Sequence, residues 1–320
     1  MILWKQNYIK NIMELNNKCV LLTGANGFLG TFVTKELVSQ GSNVLKLTKD
    51  DDLTSENCVE KYKNIKIDYV IHLAGYNGGI AFNQTYPFDI FGNNTIMSIN
   101  ALKIAVESGA KKFVGVLTSC GYPPENGDNI LEETYLDNKP HDSISSHGYA
   151  KRNLLIACQM ANKQYGLNAV CVVPNTIYGP GDTTDPVRTK VMMAMIKRFV
   201  DAKENNSQEV TCWGTGSPVR EFIYVEDTAK LIVESLKSYD DVESPLNLST
   251  GQFSTIKNLT EIISSIVEYN GEIKWDVTKP DGQMQKVLNT DKMKLLFPDF
   301  IPTTLDYGIK NTINWYRTMN

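Results

Sequence analysis

The sequence predicts an α/β fold built on a doubly wound parallel sheet, and two observations lead to this expectation. Short apolar runs such as "KCVLLTG" and "DYVIHLAG" alternate with stretches of helical length along the first half of the chain. Strands that are separated by such helices form parallel β-α-β units, whose helices cover both faces of the sheet. The chain of 320 residues is also long enough to bury a substantial core.

The predicted elements follow one another in a regular order. Strands are expected at "KCVLLTG", "NVLKLT", "DYVIHLAG", "KKFVGVLTSCGYP" and "NAVCVVPNTIYGPGD". The helices expected between and after them cover, approximately, residues 30–40, 55–63, 89–109, 147–165, 188–203 and 227–238.

The pattern changes after Pro174, where the Gly- and Pro-rich "YGPGDTTDP" and the loop-rich "TCWGTGSPVREFIYVEDTAK" begin. The helix at 227–238 and the following "PLNLSTG" favour a return to the main sheet. We therefore expect a Rossmann-type domain that binds NAD(P) and a smaller, discontinuous substrate-binding lobe. The first would comprise residues 1–174 plus 227–252, and the second residues 175–226 plus 253–320.

Composition excludes several classes of protein. A formal charge of −4 argues against a general nucleic-acid-binding surface. The six cysteines form no CxxC pair and the three histidines are scattered, so we expect no metal site, no disulfide framework and a reducing cytoplasm. The apolar positions of residues 2–13 fit a short amphipathic helix rather than a signal peptide, and no apolar run is long enough for a membrane span.

A glycine pattern carries the first functional signal. In "CVLLTGANGFLG" a strand leads to Gly24, Gly27 and Gly30 at the start of a helix. Glycines at this spacing let the backbone turn tightly and approach a pyrophosphate, which the helix N-terminus stabilises. An ordinary strand-to-helix turn is the competing interpretation, but the surrounding β-α units favour dinucleotide binding.

The motifs together resemble the extended short-chain dehydrogenase/reductase family, whose TGxxGxxG fingerprint stands here as Thr23 to Gly30. Within that family the similarity is greatest to the GDP-fucose synthase group, and it extends over nearly the whole chain. The motifs that carry it are, in order, "GGIAFNQTYP", "TSCGYP", "KQYGLNAV", "YGPGD", "WGTGSPVREFIYVED" and "KPDG". The resemblance implies an NAD(P)-dependent oxidoreductase that acts on a nucleotide-linked sugar, which we expect to be GDP-linked.

The resemblance also implies where the cofactor binds. Thr48 occupies the position that is acidic in NAD-using relatives, and Lys49 follows it, which favours NADP over NAD. The acidic run at 50–52 weakens this preference, so NAD stays possible. The implied cofactor contacts are Gly24, Asn26, Gly27, Phe28, Leu29, Gly30, Lys49, Leu73, Ala74, Gly75 and Lys151.

The stretch "SHGYAKR" at 146–152 contains the expected proton-transfer residues. His147 and Lys151 are four residues apart and share a helix face, whereas Tyr149 points elsewhere. The family carries Tyr-x-x-x-Lys here, and the helix length before "QYG" puts Lys151 at the family lysine and His147 at the family tyrosine. We expect His147 to donate the proton. The alternatives are donation by Thr118, Cys120 or water, and a site that only binds its ligand.

Three further catalytic positions come from the resemblance. Thr118 matches the Ser or Thr that hydrogen-bonds the reacting sugar oxygen, and Cys120 matches the cysteine that serves epimerisation next to a keto group. Lys190, in "TKVMM", stands where the group places an epimerising histidine. A lysine there can be an acid, a ligand for phosphate or sugar, or an exposed residue. The residues therefore support the prediction of full epimerisation less than the prediction of reduction.

The expected nucleotide-sugar contacts lie in the second half of the chain. Arg220 and Arg198 match basic positions facing the diphosphate, Trp213 precedes the "GTG" loop, and Asp281 in "KPDG" matches a residue near the ribose. Asn175 lies one place before the family asparagine, which turns it to the other side of a strand. The basic residue that the family carries after "KPDG" is Gln285 here.

These expectations lead to one preferred function and two alternatives. The preferred function is reduction of a 4-keto-deoxysugar nucleotide, with or without epimerisation, for a surface polysaccharide. The first alternative is a nucleotide-sugar epimerase or oxidase that retains NAD, and the second is a non-catalytic protein that binds nucleotide or cofactor for regulation. The resemblance further implies a homodimer formed through a four-helix contact.

Overall fold

The computed structural model describes residues 13–279, 281 and 283–319. The amphipathic helix predicted over residues 2–13 therefore lies outside the described residues, except for its last position.

A six-stranded parallel sheet forms the centre of the molecule. Its strands stand in the order β2-β1-β3-β4-β5-β9, and every neighbouring pair is parallel. This arrangement confirms the predicted α/β fold with a Rossmann-type sheet. The strands are β1 Cys19–Thr23, β2 Asn43–Leu47, β3 Tyr69–His72, β4 Lys112–Val116, β5 Asn168–Pro174 and β9 Leu246–Leu248.

Alternating side chains of the strands build two apolar layers, one on each face of the sheet. In β4, for example, Phe113 packs into one layer and Val114 into the other, and both are fully buried. Each such side chain stabilises the fold by roughly 1.5–3 kcal/mol relative to an exposed position. This two-sided burial explains why the strands read as continuous apolar runs rather than as alternating patterns.

Helices cover both faces. The first layer contains α2 Glu56–Tyr62, α4 Pro87–Glu107 and α5 Ser145–Tyr165. The second contains α1 Phe28–Ser39, α7 Val225–Ser238 and α9 Asp291–Leu296. The predicted long helices are present within a few residues of their expected bounds, whereas the short α3 Ile80–Thr85 was not predicted.

A separate apolar cluster lies outside the central sheet. It joins buried residues such as Phe199, Phe222 and Ile263, which come from distant parts of the chain. Its helices are α6 Val191–Glu204, α8 Ile256–Val267 and α10 Leu305–Arg317, and its strands are β6 Thr176–Tyr178, β7 Glu209–Trp213, β8 Val219–Tyr224, β10 Phe253–Thr255, β11 Glu272–Asp276 and β12 Gln285–Lys286. The residue bounds predicted for the two domains stay a prediction.

All six cysteines are free thiols. Among the described residues no cluster of three or more metal-ligating side chains occurs. Within the same part of the chain, no helix combines the length and the apolar character needed to cross a membrane.

Candidate active site

The turn between β1 and α1 is too tight for any side chain at its glycines. Gly24 has φ +67°, and a Cβ there would lie 2.9 Å from the backbone nitrogen of Ala74. At Gly30 a Cβ would lie only 2.1 Å from the carbonyl oxygen of Gly24. The backbone N–H of Gly27 closes the turn by donating to the same oxygen at 3.0 Å. The predicted glycine positions thus form one compact loop.

Helix α1 begins directly after this loop. Gly27 is its N-cap and supplies no side-chain cap, Asn26 is exposed, and Phe28 and Leu29 are half-buried. Gly27 thus leaves the first N–H groups of the helix without a side-chain cap, and together with the helix dipole they suit an anionic group. The loop and the helix start fit the pyrophosphate of a dinucleotide.

Thr23 joins this loop to the end of β3. Its hydroxyl oxygen accepts hydrogen bonds from the backbone N–H groups of Leu73 and Ala74, each at 3.1 Å, and lies 2.9 Å from Nδ1 of His72. Because both acceptor positions of the hydroxyl are used, it donates its own proton to His72. The predicted cofactor residues Leu73, Ala74 and exposed Gly75 consequently lie beside the glycine loop.

The end of β2 favours a 2′-phosphate more than the sequence alone suggests. Asp51, which could repel a phosphate, is engaged by Lys61 Nζ at 2.5 Å and by the Tyr62 hydroxyl at 2.9 Å. Lys49 is exposed at the start of the same short 3₁₀ turn. Its predicted contact with the cofactor remains a prediction.

The catalytic candidates Thr118 and Cys120 lie just beyond the end of β4. Thr118 caps a 3₁₀ turn, and its hydroxyl oxygen accepts from the backbone N–H of Cys120 at 3.3 Å. The Tyr135 hydroxyl donates to the Thr118 carbonyl at 3.0 Å and so fixes the turn from behind. Both candidates are half-buried, so they are reachable from the site.

Helix α5 presents His147 and Lys151 on its inner face, as the spacing of four residues predicts. They are 6% and 5% exposed, whereas Tyr149 is 41% exposed. Gly148 makes the close packing possible, because a Cβ there would lie 2.7 Å from the carbonyl oxygen of Cys120. The helix is thereby held against the turn that carries Cys120.

The side chain of Lys151 is held in place by a backbone carbonyl group. Its Nζ donates to the carbonyl oxygen of Val116 at 2.8 Å. Burial lowers the pKa of Lys151 to about 8. The ammonium form therefore predominates at neutral pH but is lost under mildly alkaline conditions.

His147 differs from an ordinary histidine. Burial, reinforced by the charges of Lys151, Lys190 and Lys286, lowers its pKa to about 3. Its Nδ1 is buried and has no hydrogen-bond partner among the described residues. The imidazole is thus neutral at pH 7. Proton donation by His147 stays a prediction, and it requires that the neutral ring takes up another proton at its bare nitrogen as it gives up its N–H proton.

Lys190 lies near His147 and Asp182. It is the exposed N-cap residue of α6, and its charge acts on both His147 and Asp182. Asp182 is only 7% exposed, and its Oδ2 has no hydrogen-bond partner within the described part of the chain. The structure thus brings the predicted Lys190 near His147.

Lys286 is a site residue that the sequence did not reveal. It lies on the two-residue strand β12, which pairs with β8 so that Lys286 stands opposite Arg220. Its Nζ donates to Cys120 Sγ at 3.7 Å. The only local signal in the sequence was its position directly after Gln285, where the resemblance implies a basic residue.

The predicted sugar-nucleotide residues are distributed over β7, β8 and the adjoining loops. Asp281 accepts from the backbone N–H and the hydroxyl of Thr215 at 2.7 and 2.8 Å. Trp213 is 65% exposed. Arg198 donates to the Thr211 carbonyl at 2.6 Å, and half-buried Arg220 donates to the carbonyl of its neighbour Val219 at 2.8 Å. The remaining guanidinium N–H groups of both arginines can donate to a diphosphate.

Asn175 has a different position. It is 5% exposed, its amide nitrogen donates to Glu221 Oε2 at 2.7 Å, and its amide oxygen accepts from the Thr176 N–H at 2.9 Å. Its contact with a sugar stays a prediction. Because these contacts are internal, the geometry favours a role in fixing the end of β5.

Comparisons with known proteins identify the family of the chain. A model of the NAD dependent epimerase/dehydratase family matches residues 20–251. The GDP-L-fucose synthase 1 of Arabidopsis thaliana is 34% identical over 305 residues, which cover 92% of this chain and 94% of the relative.

Two solved structures have the same fold over nearly their whole length. A GDP-L-fucose synthetase from Naegleria fowleri bound to NADP has a TM-score of 0.87 and 25% identity, with 97% of this chain and 95% of that chain covered. A GDP-6-OMe-4-keto-L-xylo-heptose reductase from C. jejuni has a TM-score of 0.86 and 25% identity, with 95% and 99% covered. The chain belongs to the NAD dependent epimerase/dehydratase family.

Proposed function

We propose that the protein is an NADPH-dependent reductase that acts on the keto group of a GDP-linked sugar. The observation that carries the proposal is the buried pair His147 and Lys151 on α5, facing Thr118 and Cys120 at the end of β4. Ligands of open α/β sheets bind at the carboxyl ends of the strands, where these residues lie. The similar proteins named above act on GDP-linked sugars, which supports the same substrate class here.

The cofactor contacts follow from the glycine loop. The start of α1 would hold the pyrophosphate, Lys49 would face the 2′-phosphate, and Lys151 would hold the ribose next to the nicotinamide. When bound, NADPH supplies the hydride for the reduction. The remaining tasks, which are orientation, charge stabilisation and proton delivery, fall to residues of the chain.

Thr118 and His147 would act on the sugar keto oxygen. Both can donate a hydrogen bond to the oxygen as negative charge develops, and the ammonium groups of Lys151 and Lys286 favour that charge. His147 would pass its ring proton to the oxygen and take up a replacement proton from solvent at its other ring nitrogen. A neutral histidine thereby transfers a proton without becoming an imidazolate.

The far end of the substrate would lie along β7 and β8. Arg198 and Arg220 would bind the diphosphate, whose paired oxygens match the guanidinium fork. Trp213 and the hydrogen-bonded pair Asp281 and Thr215 would line the part of the site that holds the nucleoside of the substrate.

We propose a homodimer formed by α4 and α5. These helices pack along each other and expose apolar side chains at helical spacing, which would be covered by the same face of a second copy. The exposed apolar residues are Phe88, Phe91, Ile96, Ile99, Tyr149, Ile156 and Met160. The six free thiols support the proposed reducing compartment.

The direct test is an assay of the purified protein with NADPH and a GDP-linked 4-keto-6-deoxyhexose. We expect loss of NADPH absorbance together with a reduced sugar nucleotide in the mass spectrum. GDP-mannose, which has no keto group, serves as the control and should not consume NADPH. Tightly retained NAD with no reduction of the keto sugar would instead favour an epimerase or oxidase, and would contradict the proposal.

A further inference from the structure

The loop that leads into α6 carries Lys190 and an exposed arginine. It comprises residues 182–190, between β6 and α6, and is called the 182–190 loop below. The backbone N–H groups of Arg188 and Thr189 both donate to the carbonyl oxygen of Asp185, at 3.0 and 2.8 Å. This turn fixes the backbone of Arg188 two residues before Lys190.

Arg188 contacts two aromatic side chains from the segment after β3. Its guanidinium carbon Cζ lies 5.2 Å from the ring centre of Phe82 and 5.8 Å from that of Tyr76. Both distances are in the range in which a cation is attracted to the face of an aromatic ring. Among the described residues no carboxylate forms an ion pair with Arg188, so the two rings provide the contact for its charge.

The two rings are themselves held in place. They contact each other edge to face, with centres 5.3 Å apart, and Phe82 is 5% exposed. The backbone N–H of Tyr76 donates to Asn94 Oδ1 at 2.9 Å, and Asn94 Nδ2 donates to the Tyr76 carbonyl oxygen at 2.8 Å. Asn94 belongs to α4, so a long helix of the central domain fixes the surface that Arg188 contacts.

The segment that carries the rings also joins the 182–190 loop to α5. A Cβ at Gly79 would lie 3.4 Å from the carbonyl oxygen of Thr189, so the loop backbone passes close to this segment. At the other end of the segment, Asn83 Oδ1 accepts from the hydroxyl of Ser146 at 3.4 Å. Ser146 directly precedes His147, and the contacts thus connect the loop with the start of the catalytic helix.

Lys190 needs such a fixed backbone if it is to bind a ligand. It is exposed and lies near His147. A lysine ammonium is a point charge on a flexible stem of four carbons, and its own side chain does not define one orientation. The position of the loop therefore decides whether the ammonium lies in the site.

We propose that Arg188 is a positioning residue: its contact with Tyr76 and Phe82 holds the 182–190 loop in place, so that Lys190 donates a hydrogen bond to an oxygen of the bound sugar nucleotide. The role of Lys190 rests on the proposed function, because it needs a sugar nucleotide in the site. The contact of Arg188 with the rings needs no ligand. Arg188 acts through Lys190 and does not itself touch the substrate.

The first test is limited digestion of the full-length protein by endoproteinase Lys-C, which cleaves after lysine. Cleavage of the Lys190–Val191 bond requires the loop to leave its place, so the rate follows the population of the open loop. We expect Arg188→Met to speed this cleavage about fivefold, as for loss of one exposed contact between a cation and aromatic rings. Arg317→Met, at an exposed arginine on α10, is the matched control and should leave the rate unchanged.

Two further measurements make this test specific. Tyr76→Leu should speed the same cleavage less than Arg188→Met, because one ring remains, and the double variant should match Arg188→Met alone. The Lys66–Ile67 bond, in the loop between α2 and β3, should be cut at an unchanged rate in every variant. An unchanged rate after Lys190 in Arg188→Met would overturn the proposal. An equal acceleration at Lys66–Ile67 would also overturn it, because the whole fold would then be loosened.

The second test follows steady-state reduction of a GDP-linked 4-keto-6-deoxyhexose by NADPH. We expect Lys190→Met to raise KM for the sugar nucleotide about tenfold, as for loss of a charged hydrogen bond. Arg188→Met should raise KM about fivefold with kcat nearly unchanged, and the double variant should match Lys190→Met alone. Arg188→Lys should restore most of the affinity, since an ammonium is also attracted to aromatic rings.

The outcomes separate this inference from the proposed function. An active enzyme whose KM is the same in Arg188→Met as in the wild type would overturn the inference and leave the proposed function intact. A wild type that reduces no GDP-linked keto sugar would contradict the proposed function, while the Lys-C digestion would still test the contact between Arg188 and the two rings.

Discussion

At the scale of single residues, the proposed mechanism depends on the protonation state of His147. The sequence predicts its helix face, because that depends only on a spacing of four residues. It does not predict the neutral ring, since burial and the charges of Lys190 and Lys286 come from distant segments. Lys286 itself was hidden because a two-residue strand has no recognisable pattern.

Replacing His147 tests its role as proton donor. We expect His147→Phe to lower kcat by about 100-fold or more, since loss of a general acid commonly costs that much, while NADPH binding is retained. Tyr149→Phe is the matched control on the same helix and should keep near-normal turnover, because Tyr149 is 41% exposed. Equal activity of the two variants in steady-state kinetics would contradict the assignment.

The lowered pKa of Lys151 predicts that cofactor binding depends on pH. Its pKa is lowered to about 8, so its positive charge is present below that pH and disappears as the pH rises through it. NADPH affinity should therefore fall on the alkaline side of pH 8, as measured by fluorescence titration. In Lys151→Met the decline should be absent. A wild-type affinity that stays constant across pH 8 would show that Lys151 does not bind the cofactor.

At the scale of elements, the site depends on how closely α5 approaches the turn after β4. The sequence predicted α5 and the strand before the turn because both have local patterns. It could not predict their separation, which follows from Gly148 and from Arg152, whose guanidinium donates to the carbonyl of Gly121 at 2.7 Å. Such contacts join positions far apart in the chain and leave no periodic signal.

The substitution Gly148→Ala tests this packing. Alanine is the better helix former, yet its Cβ would lie 2.7 Å from the Cys120 carbonyl oxygen. We expect the free energy of unfolding to fall by about 1–3 kcal/mol, as for other overpacked sites, and turnover to fall with it. Chemical denaturation provides the measurement. A more stable variant with full activity would show that the close contact is unimportant.

At the scale of the whole molecule, the order of β-α units and the glycine loop were predictable because each is encoded locally. The sheet order and the two apolar layers confirm that prediction. Apart from β6, which continues the strand predicted from Asn168, the small strands outside the central sheet were not predicted, since their pairing is set by tertiary contacts. Those strands position Lys286 and Arg220, so the least predictable part of the fold contributes two residues to the candidate site.

The exposed face of α4 and α5 predicts the oligomeric state. Ile99→Asp would put a charge into the proposed interface and should convert the dimer into a monomer in analytical ultracentrifugation. Ile301→Asp is the control, because Ile301 is an exposed apolar residue outside these helices, at 86% exposure. A wild-type monomer, or a dimer that survives Ile99→Asp, would contradict the proposed interface.

The most direct test of the proposed reaction is transfer of label from NADPH deuterated at its hydride-bearing carbon. The product formed from a GDP-linked 4-keto sugar should carry deuterium at the former keto carbon, as read by NMR. His147→Phe should form this labelled product at least about 100-fold more slowly, and Tyr149→Phe should form it at a near-normal rate. A reduced product without the label, or no product from any GDP-linked keto sugar, would contradict the account.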